Sequence, residues 1–306
     1  MSALQTSVGS VALPNPVMTA SGTSGHADEL GAYFDLSELG AVVVKSVSAK
    51  PWNGNPAPRL HPVRGGMMNA VGLQNPGVDA WRDNELPRLR DTGARVVASI
   101  WGFSVDDYAA AADALAACGP EVVAVEVNLS CPNVEDRRQM FAHDATKAAK
   151  AIAATEGAGR PRWAKLSPNV TDLVPIAAAA HDAGAEAVTL VNTVLGMAID
   201  PETGAYRLGS GARGGGLSGP AIHPIAVRAV HDVHAALPDL PIVGVGGVVR
   251  GEDAAELLLA GASAVQVGTA TFADPRAPRR ILTEVGQWCE RHGVGTIDEL
   301  IGAAHD

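Results

Sequence analysis

Eight short apolar runs alternate with helix-like stretches along this chain of 306 residues. Short apolar runs bounded by Gly, Pro and Asn predict buried strands, and strands that alternate with helices pair in parallel. Eight such units predict an α/β fold, a closed (β/α)8 TIM barrel whose long active-site loops lie at its carboxyl-end face. The predicted strands span residues 16–20, 41–46, 95–100, 122–128, 162–167, 187–192, 242–246 and 264–268.

Most stretches between these runs are rich in Ala and place apolar residues at helical spacing. An open, doubly wound sheet is the alternative fold. The count of eight disfavours it, and so does the absence of an early Gly-x-Gly-x-x-Gly motif after a strand. We expect one domain over residues 1–306. Predicted helices lie at 105–117, 145–154, 174–183, 222–236 and 254–259.

Charge and cysteine content exclude several classes of protein. The formal net charge is −10 and Lys and Arg form no run, so a nucleic-acid partner is not expected. No apolar stretch reaches the roughly 20 residues that span a bilayer. Cys118, Cys131 and Cys289 form no CxxC pair and no metal cluster, so we expect a reducing, cytoplasmic location, no bound metal, and any iron–sulfur centre on another chain.

Three connections, at residues 47–75, 132–143 and 193–220, are too long to be plain turns. Each follows a predicted strand, so all three are expected at the carboxyl-end face, where this fold carries its active site. Long ordered connections are usually functional or mobile. The charged segment 132–143 is predicted to act as a lid over Cys131.

Polar side chains follow the predicted strand 122–128. Asn128 and Asn133 flank Cys131 in the sequence Asn-Leu-Ser-Cys-Pro-Asn. Amides on both sides of a thiol suit a site that binds a planar polar heterocycle and moves a proton. A capped loop with an incidental cysteine is the alternative, because Asn, Ser and Pro are ordinary loop residues.

Glycines end the last two predicted strands, at Gly244-Val-Gly246-Gly247 and at Gly268-Thr269. Glycine lets backbone N–H groups approach a ligand closely, and the loops after strands seven and eight form the usual phosphate site of such barrels. The segment Gly216-Leu-Ser-Gly219 adds a third set of donors. This pattern fits a phosphorylated substrate as well as flavin mononucleotide (FMN).

Two lysines interrupt apolar runs, Lys45 in the second predicted strand and Lys165 in the fifth. A lysine inside a barrel strand is costly unless an anion or ligand compensates its charge. One interpretation places the cation near the pyrimidine end of a flavin ring, and another places it on a substrate carboxylate. A third is a lysine whose stem packs inward while its amine reaches water.

Taken together, these segments resemble class 1 dihydroorotate dehydrogenases, the flavin enzymes of pyrimidine synthesis. Segments 196–200 and 215–222 resemble subclass 1B, a catalytic subunit that works with an electron-transfer subunit. Ser99 departs from the Asn usual in that subclass and is closer to the fumarate-using subclass 1A. The matching segments span residues 20–23, 44–46, 54–59, 69–77, 128–133, 165–169, 192–193, 216–220, 246–247 and 268–269.

The resemblance implies a role for each matching residue. Cys131 is the implied catalytic base, which takes the C5 proton of dihydroorotate. The implied substrate contacts are Lys45, Asn69, Gly72, Leu73, Asn128, Asn133, Asn192 and Thr193. The implied FMN contacts are Ala20, Ser21, Gly22, Lys45, Ser46, Ser99, Asn128, Lys165, Gly219, Gly246, Gly247, Gly268 and Thr269.

The implied function is oxidation of (S)-dihydroorotate to orotate with FMN in de novo UMP biosynthesis. Electrons would pass to NAD through a partner subunit that carries an iron–sulfur centre and FAD. The family suggests a homodimer of this chain, or a heterotetramer with two partner subunits. The alternatives are a fumarate-dependent class 1A homodimer, a dihydropyrimidine dehydrogenase-like flavin enzyme, and a colourless barrel that binds a sugar phosphate.

Overall fold

We describe the chain from a computed structural model, which covers residues 4–130, 140–208 and 214–305. The strands in these ranges are β1 (Thr6–Val8), β2 (Val11–Leu13), β3 (Val17–Thr19), β4 (Val42–Val43), β5 (Leu60–Val63), β6 (Gly66–Asn69), β7 (Val96–Ile100), β8 (Val122–Asn128), β9 (Arg162–Lys165), β10 (Ala187–Leu190), β11 (Val194–Gly196), β12 (Gly215–Ser218), β13 (Ile242–Val245) and β14 (Ala264–Val267).

Local sequence signals account for several helix ends. Ser104 and Asp107 form a reciprocal capping box at the start of α3, and Pro224 occupies the first turn of α6. Gly293 ends α9 in a left-handed conformation with φ of 67°. The α-helices are α1 (Val78–Asn84), α2 (Leu86–Asp91), α3 (Val105–Leu115), α4 (Ala145–Ala153), α5 (Val174–Asp182), α6 (His223–Ala236), α7 (Gly251–Leu259), α8 (Ala270–Ala273) and α9 (Ala277–His292).

Eight parallel strands form the barrel in the order β3-β14-β13-β10-β9-β8-β7-β4. A parallel bridge between Met18 and Ala41 joins the two edge strands, and Gly40 donates a backbone hydrogen bond to Val17. The predicted barrel is therefore confirmed, and each predicted strand contains one observed strand. Six of the eight observed strands end one to three residues before the predicted carboxyl end, whereas β7 and β8 reach it.

The barrel has an apolar floor at its amino end. Val8 and Leu13, from the hairpin of β1 and β2, belong to the same buried cluster as Met18, Val43 and Trp163 on the barrel strands. A second and larger cluster lies between the strands and the surrounding helices. Burial of this apolar surface at roughly 25 cal/mol per Å² is the main force that closes the barrel.

A second sheet covers the carboxyl end of the barrel. Strands β11, β12, β6 and β5 pair antiparallel in that order. They lie within connections 47–75 and 193–220, for which the sequence analysis predicted no strands. The sequence conceals them because Gly66, Gly215 and Gly216 contribute no side chain to an alternating pattern. A Cβ on Gly66 would overlap the Ser218 carbonyl oxygen.

Connection 132–143 is described only in part. Residues 132–139 of the predicted lid lie outside the described ranges, so that prediction stays untested. Its end forms a short 3-10 helix, Phe141–His143, and Phe141 is buried. Within the described ranges, no helix is both long and apolar enough to cross a membrane.

Candidate active site

A cavity of about 540 Å³ lies between the carboxyl ends of the barrel strands and the antiparallel sheet. Residues far apart in the sequence meet in its wall because parallel strands bring all their carboxyl ends to one face. The residues predicted as substrate or cofactor contacts that line this cavity are Ala20, Ser21, Gly22, Lys45, Ser46, Asn69, Gly72, Leu73, Asn128, Lys165, Asn192, Thr193, Gly219, Gly246, Gly247, Gly268 and Thr269.

Three predicted site residues stand apart from this set. Ser99 is fully buried behind Ser46, whose hydroxyl group lies 2.8 Å from its own, and it does not line the cavity. Ser99 therefore reaches the cavity only through Ser46, and its predicted direct contact with a flavin is not supported by this position. Cys131 and Asn133 lie outside the described residues, whereas Ser130 and Met140, at the two ends of that gap, both line the cavity.

Strand alternation explains how polar groups reach the cavity floor. Side chains two positions apart on a strand point to the same side, so each floor residue that belongs to a barrel strand has a successor one layer higher. Val43, Ala124 and Trp163 in the apolar floor are followed by Lys45, Glu126 and Lys165. By this alternation the full upper layer comprises Ala20, Lys45, Ser99, Glu126, Lys165, Thr189, Val245 and Gln266.

Three buried side chains of this layer form a closed hydrogen-bonded ring. Lys165 Nζ donates to Glu126 Oε1 at 3.2 Å and to Gln266 Oε1 at 3.4 Å. Gln266 Nε2 donates to Glu126 Oε2 at 2.7 Å. Glu126 and Gln266 were missed by sequence analysis, although both interrupt apolar strand runs as Lys165 does, and that signal was available.

A chain of polar side chains crosses the cavity wall above this ring. Asn192 Nδ2 donates to Asn128 Oδ1 at 3.2 Å, and Asn128 Nδ2 donates to Ser46 Oγ at 3.4 Å. The hydroxyl groups of Ser46 and Ser21 are 3.2 Å apart. These bonds fix which way each amide points, so donors and acceptors are presented to a ligand in one arrangement.

Lys45 places a second cation at the wall, and its effect is visible on His26. The pKa of His26 falls from 6.5 to about 4, first because the imidazole is buried and second because Lys45 is close; Glu29 opposes the shift. His26 Nε2 is buried without a hydrogen-bond partner among the described residues. His26 is therefore neutral at pH 7, and the positive charge at this wall belongs to Lys45.

Glycines form the end of the cavity where a phosphate was predicted. Gly219, Gly246 and Gly247 have φ of 102°, 143° and 71°, so a side chain at any of them is strained. A Cβ on Gly247 would also lie 2.6 Å from His223 Cβ. Thr269 Oγ1 donates to Ser218 Oγ at 2.8 Å beside these turns. The backbone of these glycine turns is therefore not covered by side chains of its own, and the hydroxyl groups of Thr269 and Ser218 lie beside it.

The antiparallel sheet supplies the opposite wall. Asn69 on β6 donates to the carbonyl of Gly216 on β12 at 3.3 Å. The loop after β6 carries Gly72 and Leu73, both with left-handed φ, and Asn75 holds it by accepting from the Gly77 amide and donating to the Leu73 carbonyl. A left-handed leucine is uncommon, and such strain concentrates at binding sites.

Other wall residues were not singled out from the sequence as site residues. Asn55 lines the cavity and donates to the Ala70 carbonyl, and it could have been found from the motif at residues 54–59. Met67 and Met140 carry no comparable signal, because an apolar loop residue looks the same in a core and in a pocket. Phe272 lies at the rim and is 49% exposed.

Comparison with known proteins identifies a family. The sequence model described as "Dihydroorotate dehydrogenase" matches residues 3–288. The "Dihydroorotate dehydrogenase B (NAD(+)), catalytic subunit" of Trichlorobacter lovleyi is 46% identical over 302 residues, which cover 98% of each chain. The protein of the same name from Geobacter metallireducens is 44% identical over 301 residues, covering 98% of this chain and 97% of the relative.

A solved structure supports the fold independently. The crystal structure of DHODH from Eimeria tenella in complex with ferulenol superposes with a TM-score of 0.79. The match covers 99% of this chain and 88% of that chain at 23% sequence identity, so it bears on the fold alone.

Proposed function

Because the chain belongs to the dihydroorotate dehydrogenase family, we propose that it oxidises (S)-dihydroorotate to orotate in pyrimidine biosynthesis, with FMN as its cofactor. One observation carries the proposal beyond family membership. A single cavity combines bare glycine turns, two lysines and a set of oriented amides. The glycine turns suit a flavin phosphate, the lysines suit a flavin ring or a carboxylate, and the amides suit a pyrimidine.

The residues present fit FMN. The glycine turns with Thr269 and Ser218 can hold a phosphate, since bare backbone and hydroxyl groups are its usual partners. Lys165 rises from the cavity floor, where a cation favours electron density on a flavin ring. Ala20, Ser21 and Gly22 line the cavity with small side chains, which leave room for a flat ring. Ser99 supports this stretch through Ser46.

When bound, FMN supplies the acceptor for the hydride that leaves C6 of dihydroorotate. The C5 proton must leave as well, and we assign it to Cys131, as the family resemblance implies. A thiolate is the basic form, so the pKa of this thiol must suit neutral pH. Segment 132–143 would then close over the site and exclude water.

The substrate would be held by amides and one cation. Asn69, Asn128 and Asn192 bind the carbonyl and N–H groups of the ring, because an amide offers both a donor and an acceptor. Asn133, Thr193, Gly72 and Leu73 complete the pocket, and Lys45 pairs with the carboxylate. The bond between Asn192 and Asn128 orients both amides before substrate arrives, which lowers the entropic cost of binding.

We further propose that electrons leave through a partner subunit that carries an iron–sulfur centre and FAD and reduces NAD⁺. The proposal rests on the relatives, whose names specify both NAD⁺ and a catalytic subunit. The three cysteines of this sequence are far apart and form no cluster motif. A homodimer of this chain with two partner subunits is the assembly that we expect.

Turnover with three electron acceptors tests this function. The FMN-loaded chain alone should oxidise dihydroorotate with an artificial dye as acceptor, but not with fumarate or NAD⁺. Turnover with fumarate would instead support the class 1A homodimer, and direct reduction of NAD⁺ would remove the need for a partner. An FMN-loaded chain that cannot reduce the dye with dihydroorotate would contradict the substrate, and we would then test other dihydropyrimidines.

A further inference from the structure

We propose that Glu126 and Gln266 are positioning residues that hold the Lys165 ammonium group in place and thereby set the reduction potential of the bound flavin. The inference rests on the proposed FMN function. Neither residue lines the cavity, so each acts through Lys165, which does.

The hydrogen-bonded ring described above leaves Lys165 little freedom. An ammonium group has three N–H donors. Two of them are directed to Glu126 and Gln266, at 3.2 and 3.4 Å. The 2.7 Å bond from Gln266 to Glu126 closes the ring and prevents either acceptor from turning away. The third donor of Lys165 is then left for a ligand in the cavity.

Burial makes this arrangement stiff. Glu126 and Gln266 are 0% exposed, and Lys165 is 5% exposed. In such surroundings Glu126 and Gln266 cannot replace a lost hydrogen-bonding partner with water. The three residues come from β8, β9 and β14, whose backbones the barrel ladder already fixes. The ammonium nitrogen is therefore held from two sides by rigid elements.

A purely structural role does not explain why charged groups occupy this layer. The layer below is apolar, with Ala124, Trp163 and Ala264 at the equivalent positions of the same strands. Apolar residues of similar volume often replace a buried ion pair with no loss of stability or with a gain. The charge lies instead where Lys165 reaches the cavity, which is where a cation can act on a ligand.

The chemical consequence follows from where negative charge develops. Hydride transfer from dihydroorotate brings two electrons and one proton to the flavin, and the reduced ring readily carries a negative charge at its pyrimidine end. A fixed cation there stabilises the reduced form at no cost of reorganisation. Withdrawal of the ammonium group from the cavity should lower the reduction potential.

The principal test is the midpoint potential of bound FMN in Gln266→Leu, measured by equilibration with a reference dye without oxygen. This substitution keeps the net charge and removes only the bonds to Lys165 and Glu126. We expect the equilibrium constant for two-electron reduction to fall at least tenfold, a shift of about 30 mV. The matched control is Thr189→Val, because Thr189 is buried in the same layer and its hydroxyl has no partner among the described residues. It should leave the potential unchanged.

A double-mutant cycle asks whether the effect passes through Lys165. Once Lys165→Met removes the ammonium group, Gln266→Leu should have no further effect on the potential. Equal shifts in the two backgrounds would overturn the proposal. The proposal would also fail if Gln266→Leu lowered thermal stability but left the midpoint potential of FMN at its wild-type value.

A charge exchange keeps the test available if Gln266→Leu does not fold. Gln266→Glu alone adds a second carboxylate beside Lys165 and should lower the potential. Addition of Glu126→Gln restores one carboxylate and one amide, so the potential should return toward wild type. No recovery would contradict the positioning role. Failure of the wild-type chain to bind FMN would instead overturn the proposed function, so the two failures are distinguishable.

Discussion

The hydroxyl group of Tyr108 donates a hydrogen bond of 2.6 Å to the backbone carbonyl of Asn128. Tyr108 is fully buried on α3, and its ring meets Phe141 edge-on with 5.3 Å between the ring centroids. One side chain thus ties an outer helix to the end of β8 and to the end of the connection that follows. Leu129 and Ser130 follow this strand end, and Cys131 comes next in the sequence.

Tyr108→Phe should destabilise the protein and disturb the site at the same time. Loss of the hydroxyl removes a buried hydrogen bond, which costs about 1–3 kcal/mol in the free energy of unfolding. Urea unfolding followed by fluorescence measures this cost. Turnover should fall as well, because the strand end that carries Asn128 loses a support. The matched control is Tyr206→Phe at an exposed position, where neither quantity should change.

Cys131→Ala should keep FMN and lose most turnover, because general base catalysis typically contributes about 10²- to 10⁴-fold. Cys131→Ser should keep some turnover that rises with pH, since a hydroxyl is a weaker acid than a thiol. Stopped-flow reduction of the bound flavin by dihydroorotate measures both. Cys118→Ala is the control: Cys118 is buried in the outer core, where burial raises the pKa of its thiol. Wild-type reduction by Cys131→Ala at neutral pH would rule out this role.

Thr269→Val should weaken FMN binding. The substitution keeps the shape of the side chain and removes a hydroxyl group from the predicted phosphate end of the cavity. A hydrogen bond to a charged group contributes about 1.5–3 kcal/mol, so the dissociation constant of FMN should rise at least tenfold. Quenching of FMN fluorescence on binding provides the measurement. Thr269→Ser retains the hydroxyl and should bind like wild type; equal affinity of the Val variant would place the phosphate elsewhere.

His26 predicts a pH dependence of stability. Its pKa in the folded protein, about 4, lies below its ordinary value of 6.5, so the unfolded chain binds more protons between these values. The free energy of unfolding should therefore rise with pH across this window and gain nothing further from His26 above pH 7. Urea titrations at pH 5 and pH 7 should differ less in His26→Gln than in wild type. An identical difference would show that His26 is protonated in the folded state as readily as in the unfolded one.

The barrel could be predicted from the sequence because its strands are buried on both faces. Runs such as residues 122–128 are apolar except for Glu126 and the terminal Asn128, so they stand out without an alignment. The antiparallel sheet could not be predicted in the same way. Gly215 and Gly216 occupy half of β12, and Pro62 lies within β5, so local preference there argues against a strand. Pairing with β6 overrides that preference in both strands, and for β12 this partner is distant in sequence.

The site could be predicted to the extent that a residue type conflicted with its surroundings. Lys45 and Lys165 were found because a lysine is costly inside a strand, and Asn128 was found because it ends one. Glu126 and Gln266 carry the same signal, yet only the structure reveals that both contact Lys165. Ser99 was expected to contact a cofactor directly, but it lies behind Ser46, because a sequence pattern gives the face of a strand and not whether a neighbouring side chain covers the residue.

The central claim is that this cavity binds FMN and passes it the electrons of dihydroorotate. The most direct measurement is the visible spectrum of the purified chain, recorded without oxygen before and after addition of dihydroorotate. We predict a flavin band that dihydroorotate bleaches in the absence of any partner or acceptor. A chain that remains colourless and fails to take up added FMN, or a flavin band that dihydroorotate leaves unchanged, would contradict the account.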